Sequence, residues 1–243
     1  MRAALCALIL ALCGTCNSAS AVECSTVQSA GKRYTVCRVD VLRERLQLFL
    51  QDDAAQPFKH FDRLADQLAA SGRTLAFAMN AGMYHPGFSP VGLFVADGAQ
   101  LAALNTDSGK GNFFLKPNGV FFVSTEGAGV VESSAYASLG KPAILATQSG
   151  PLLLRQGNLH PAFIPTSDSR LIRNGVGVPG PGTAVFAISE DPVNFYEFAI
   201  FFRDVLGCPD ALYLDGNISS LYAADLKRND FKADLGPIIG VVQ

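Results

Sequence analysis

The chain has 243 residues, of which 49% are apolar and 16% charged, and its formal net charge is −2. That balance supports a sizeable buried core and excludes a disordered chain. The near-neutral charge leaves no electrostatic footprint for nucleic acid.

Met1-Arg2, an apolar run from Ala3 to Leu12 and Ala19-Ser20-Ala21 have the order of a secretory signal peptide with cleavage after Ala21. The run is too short to span a bilayer, and no later segment is long and apolar enough to do so. Residues 1–21 are therefore expected to leave. Residues 22–243 would form one domain, periplasmic or secreted. Cys24, Cys37 and Cys208 remain. Export favours a disulfide. Cys24 and Cys37 bracket a turn-like Ser29-Ala30-Gly31, so a bond between them is expected to close a hairpin. Cys208, next to Pro209 and with no histidine nearby in sequence, reads as a buried thiol.

Tyr34 to Asp40 and Leu46 to Leu50 alternate as strands. Phe58, Phe61, Leu64, Ala65 and Leu68 recur at helical spacing, and Gly72 ends that helix. Thr74 to Met79 reads as a buried strand, followed by a turn-rich loop through Pro90. Val91 to Val95 is strand-like, with Asp97-Gly98 as a turn. Phe113 to Leu115 and Val120 to Val123 flank Pro117-Asn118-Gly119 as a second expected hairpin. Ala143 to Thr147 and Leu152 to Leu154 are short strands around Gln148-Ser149-Gly150-Pro151. After a strand over Thr183 to Ile188, Asp191-Pro192 is expected to cap a helix that Gly207 closes. The sum is an α+β single domain with mainly antiparallel or mixed sheets and two principal helices.

The most informative stretch is Ala211 to Tyr222. An apolar run delivers Asp215 to its C-terminal end, Gly216 follows, and Ser219 and Ser220 supply hydroxyls. A carboxylate beside a buried strand is costly unless something meets it. Two other polar groups follow apolar strands, Asn80-Ala81-Gly82 and Ser149-Gly150-Pro151, and Arg170 and Arg173 lie in a polar segment. Loops on rigid strands often carry sites, and an arginine fork suits phosphate oxygens. Asp107 and His85 are further candidates, while His60 and His160 read as surface and structural residues. No spacing suggests zinc.

Several segments then carry a resemblance: Asn80 to Tyr84, Ser89 to Leu93, Gly111 to Phe121, Gln148 to Pro151, Arg173 to Gly177, and Leu214-Asp215-Gly216 with Ser219-Ser220. Together, in this order, they resemble the phosphodiester glycosidase (uncovering-enzyme-like) family, in its compact exported bacterial branch. The chain departs from that pattern at Ala81, and at Asn217-Ile218, where the family often has glycines. The resemblance implies hydrolysis of a sugar from a glycosyl-1-phosphodiester. It implies Asp215 and Arg173 as catalytic residues, with Arg173 holding phosphate, alongside Lys110 or Arg170. Asn80, Gly82, Ser149, Gly150, Gly216, Ser219, Ser220 and Arg170 would bind substrate. The expected partner is a sugar-phosphate or glycan, and no cofactor is implied. A hard divalent cation bridging Asp215 to phosphate is compatible with the chain, but nothing in it demands one. The alternative is an envelope protein that holds glycan or phosphate in the same cleft without cutting it.

Overall fold

A computed structural model describes residues 22–140 and 142–243; the leader assigned to residues 1–21 lies outside them. Three sheets, all paired antiparallel, surround one core. The seven-stranded sheet runs in the spatial order Val22–Ser29, Lys32–Asp40, Thr183–Ser189, Asn174–Gly180, Asp210–Asp215, Leu152–Arg155, Asn158–Leu159. A second sheet has Leu75–Asn80 and Ile238–Val242 among its five strands, and a third has Gly119–Ser124 and Leu145–Ser149 at its centre. This is the expected α+β architecture. No helix among the described residues is long and apolar enough to cross a membrane.

The three sheets meet at Phe186. Its ring lies 5.0 Å from Phe77 of the second sheet and 5.9 Å from Phe121 of the third, all three fully buried. Burial of each such ring contributes about 1.5–3 kcal/mol. The outer face of the seven-stranded sheet is covered by the helix Phe195–Ile200, which continues as a π-turn over Phe201–Val205; Phe198 and Phe202 pack there with Val185 and Tyr213. Helix Phe61–Ala70 seats Phe61, Leu64 and Leu68 on Leu75, Ala78 and Ile238 of the second sheet. The Cys24–Cys37 disulfide is formed, joining directly opposed residues of the first hairpin, and Cys208 is a buried free thiol.

Two local expectations give way. Phe113 to Leu115 is not a strand: Asn112–Phe114 forms a 3₁₀ turn after Gly111, whose φ of +93° reverses the chain. The partner of Gly119–Ser124 is instead Gly127–Glu132. The second helix is capped by Asn194 rather than Asp191. Asn194 accepts from the Glu197 N–H while the Glu197 side chain returns to the Asn194 N–H, closing a capping box. Asp191 is engaged elsewhere, accepting from both the main chain and the guanidinium of Arg33.

Candidate active site

One strand from each sheet ends at the same place: Asn80 from the second, Ser149 from the third, Asp215 from the first. Antiparallel pairing sets Asn174 opposite Asp215. The polar side chains at these ends are buried and bond one another. Asn80 and Asn174 exchange amide hydrogen bonds. The Asn174 Oδ1 also accepts from the Asp215 N–H at 3.1 Å and from Ser219 Oγ at 3.2 Å. The Ser220 N–H donates to Asn80 Oδ1 at 3.0 Å, and Ser149 Oγ donates to the Leu214 carbonyl at 2.9 Å. This network joins the sheets and fixes the turn that follows Asp215.

In front of the network lies a cavity of about 630 Å³. Asp215 is the carboxylate on its wall. Lys110 and His85 bring basic side chains to the same cavity, and Asn112 and Asn217 bring amides. Tyr84, Phe113, Phe114 and Ile218 supply apolar walls. The segment carrying Lys110 and Asn112 is tied down by Gln148, whose Oε1 accepts from the Asn105 and Leu93 N–H groups and whose Nε2 donates to the Asn105 carbonyl.

Burial pushes the Asp215 carboxyl up to about 6, partly opposed by the Gly216 and Asn217 N–H groups. The Gly216 N–H reaches Asp215 Oδ1 at 2.5 Å. A carboxylate held near the middle of the pH range inside a cavity is suited to take up a proton. Burial also raises the Tyr84 hydroxyl, with the Asp215 charge adding to the shift; Tyr84 itself donates to the Asp234 carbonyl at 2.5 Å.

Of the candidate site residues named from sequence, Asp215, Lys110 and His85 line this cavity. Asn80, Ser149, Ser219 and Ser220 converge behind it, each less than 2% exposed, with their polar atoms committed to the network. Gly150 is covered by the Asn118 side chain and the Phe113 carbonyl, and Gly82 sits against Thr147. The Gly216 N–H is taken by Asp215. Arg170 pairs with Glu197 at 2.6 Å. Arg173 is fully buried behind the wall; its Nε donates to the Val193 carbonyl at 2.9 Å and its Nη2 to the Ser169 carbonyl at 2.8 Å. Asn174, Tyr213 and Asn112 had not been singled out. Each stands within a segment that carried the resemblance or in the strand leading to Asp215, so only the spatial assembly separates them from their neighbours.

The phosphodiester glycosidase family profile matches residues 73–242, which include Asn80, Asn174 and Asp215. The chain belongs to that family. An uncharacterised Escherichia coli protein, YigE, is 38% identical over 179 residues, covering 74% of this chain and 70% of the relative. The fold is shared with the zebrafish N-acetylglucosamine-1-phosphodiester alpha-N-acetylglucosaminidase catalytic domain, auto-inhibited by its pro-peptide: TM-score 0.64, 14% identity, 93% of this chain and 84% of that one. A putative exported protein of Burkholderia pseudomallei has TM-score 0.53 and 11% identity, covering 86% of this chain and 74% of that one. At these identities the structural likeness speaks for the fold. Among the described residues no group of three or more His, Cys, Asp or Glu side chains stands together as a metal site.

Proposed function

We propose that this family member is a hydrolase that cuts a sugar from a glycosyl-1-phosphodiester, with Asp215 as its reacting carboxylate. The observation that carries the reading is the composition of the cavity. One carboxylate lines it, raised by burial to about 6, and Lys110 lines it too. An ordinary glycosidase flanks the scissile bond with two carboxyl groups, because an alkoxide must be protonated as it leaves. A phosphomonoester leaves more readily: its last proton has a pKa of about 6, whereas bulk water, as an alkoxide stand-in, sits near 15.7. The difference of roughly 10 units is worth about 13 kcal/mol at full bond cleavage. A single carboxylate and a cation then suffice.

In the proposed step, water adds its hydroxyl to the anomeric carbon and its second proton passes to Asp215. The bond from that carbon to the bridging oxygen breaks, and the phosphomonoester departs with the bonding electrons toward Lys110. The apolar walls receive the faces of the sugar. Asn80, Asn174, Ser149, Ser219 and Ser220 hold the Asp215 turn in place, and Arg173 contributes from behind it. No resident cofactor enters the scheme. The Cys24–Cys37 bond and the likeness in fold to a putative exported protein of Burkholderia support an exported enzyme acting on envelope or extracellular sugar phosphates.

The test is incubation of the folded protein with an N-acetylglucosamine-1-phosphodiester and a UDP-sugar, reading free sugar, with Asp215→Asn as control. Release that disappears in the variant supports the reading. Tight binding without release would favour the non-catalytic alternative, a role consistent with Asn217 and Ile218 on the cavity wall.

A further inference from the structure

Arg173 presents a charge without a counter-charge. Among the described residues no carboxylate pairs with its guanidinium. Two carbonyls, of Val193 and Ser169, hold it in plane, and the ring of Phe195 lies 3.8 Å from its central carbon. Its remaining nitrogen, Nη1, donates to the Tyr213 hydroxyl at 3.4 Å. A buried cation of this kind is expensive to keep, and an apolar side chain of similar length would fill the same space at lower cost.

The phenol is the link to the site. Tyr213 precedes Asp215 by two residues on the same strand and is itself buried. Its ring stands edge-on to Phe195, with centroids 4.8 Å apart. Asn112, on the cavity wall, favours the ionised form of this hydroxyl. On its far side the hydroxyl overhangs Gly216: a Cβ there would meet the phenol oxygen at 2.2 Å. Burial raises the Tyr213 hydroxyl, the Arg173 charge opposes that, and the Asp215 charge adds to it, so the phenol feels both ions. The hydroxyl therefore stands between the guanidinium and the Asp215–Gly216 turn.

We propose that Arg173 and Tyr213 are a positioning pair for Asp215. The pinned guanidinium orients the phenol hydroxyl, and that hydroxyl, backed by the buried positive charge, favours the ionised carboxylate and fixes its direction. The role rests on the reading of Asp215 as the reacting group. It reassigns Arg173 from touching phosphate to acting through a neighbour. The other titratable groups lining the same cavity are Tyr84 and His85 from the loop after Asn80, and Lys110 from the segment before the 3₁₀ turn.

The experiment is a carbon-13 NMR titration of the Asp215 carboxyl in wild-type protein, Tyr213→Phe, Arg173→Met and Arg173→Lys. Phenylalanine keeps the ring and removes the hydroxyl. Loss of the donor or of the charge is expected to raise the Asp215 midpoint by about 0.5 pH unit or more, with lysine restoring part of the Arg173→Met shift. A midpoint unchanged in both Tyr213→Phe and Arg173→Met overturns the proposal. If Arg173→Met does not fold, Tyr213→Phe decides alone. The titration needs no substrate, so absence of hydrolysis would defeat the enzymatic reading and leave this result standing. Where hydrolysis is found, the acid limb of kcat/KM moves with the midpoint, which a purely packing role would not produce.

Discussion

Asn80 and Asn174 are bound amide to amide across the junction of two sheets, 94 residues apart in sequence. Asn80 Nδ2 donates to Asn174 Oδ1 at 3.3 Å, and Asn174 Nδ2 donates to Asn80 Oδ1 and to the Asn80 carbonyl, each at 3.0 Å. Their acceptor oxygens also receive the main-chain N–H groups of Asp215 and Ser220. The start and end of the site turn therefore hang from one side-chain pair. Asn174→Ala would leave the Asp215 N–H and the Asn80 Nδ2 short of a partner in a dry interior. Each orphaned group costs about 1–3 kcal/mol, partly relieved by relaxation, so a loss of about 3 kcal/mol is expected. Urea denaturation measures it. A midpoint equal to that of wild type would show that the pair does not hold the junction.

Asp215 should weigh against stability at neutral pH. Its folded value of about 6 lies above the ordinary aspartate value of 3.8. Below both values the two states are protonated and nothing is lost. Between them the folded state keeps a proton that the unfolded state has released, so stability falls as pH rises, and the whole penalty is present above about 6. The full shift corresponds to about 3 kcal/mol at most. Asp215→Asn removes the titration. It is expected to be more stable than wild type by about 1–3 kcal/mol at pH 7.5, the gap closing toward pH 4. Thermal denaturation at both pH values checks the sign. An equal gap at the two would refute the assignment.

The same ionisation sets the rate profile. In the proposed role of proton acceptor, Asp215 works only when charged, so kcat/KM should climb with pH through a midpoint near 6 and level off above it. The limb should have unit slope, since one carboxylate lines the cavity. Initial rates from pH 4.5 to 8 with a glycosyl-1-phosphodiester measure it. A rate that falls as pH rises through this window would assign Asp215 to the protonated, acid role instead.

Much of the architecture was legible in local sequence. Apolar runs ending in Asn80, Ser149 and Asp215 marked strand ends, and the bracketed turn between Cys24 and Cys37 marked a disulfide hairpin. What sequence could not settle was orientation. Asn80 and Ser149 have the chemistry of ligand-binding side chains, but contact between sheets, set by distant parts of the chain, turns them toward one another and away from the cavity. Arg173 has the chemistry of a phosphate clamp; Phe195, Val193 and Ser169 enclose it, and none of these lies beside it in sequence. The strand Gly127–Glu132 was overlooked because its glycines carry little strand propensity. They serve close contact instead: a Cβ on Gly129 would meet the Phe122 ring at 2.6 Å. Phe113 and Phe114 have the composition of a strand, but they form a cavity wall shaped by Gly111.

Gly216 is the most exacting position in the turn. An added Cβ would stand 2.2 Å from the Tyr213 hydroxyl oxygen, 3.3 Å from Leu171 Cδ1 and 3.5 Å from the Tyr213 ring carbon that bears the oxygen. Only the first contact is prohibitive. Leu171 is partly exposed and can yield, but the buried Tyr213 cannot swing aside without leaving Arg173. Gly216→Ala is therefore expected to cost about 1–3 kcal/mol through overpacking. Turnover should drop at least about tenfold if the displaced phenol adds about 1.4 kcal/mol to the barrier. Gly87, with open space where its Cβ would go, is the control: Gly87→Ala should stay within about 0.5 kcal/mol of wild type. Because the clash is with the oxygen alone, adding Tyr213→Phe to Gly216→Ala should restore stability, a coupling of about 0.5–3 kcal/mol. Activity should remain low, since the hydroxyl is still missing. Strict additivity of the two substitutions in denaturation would mean that the phenol and the turn do not press on one another.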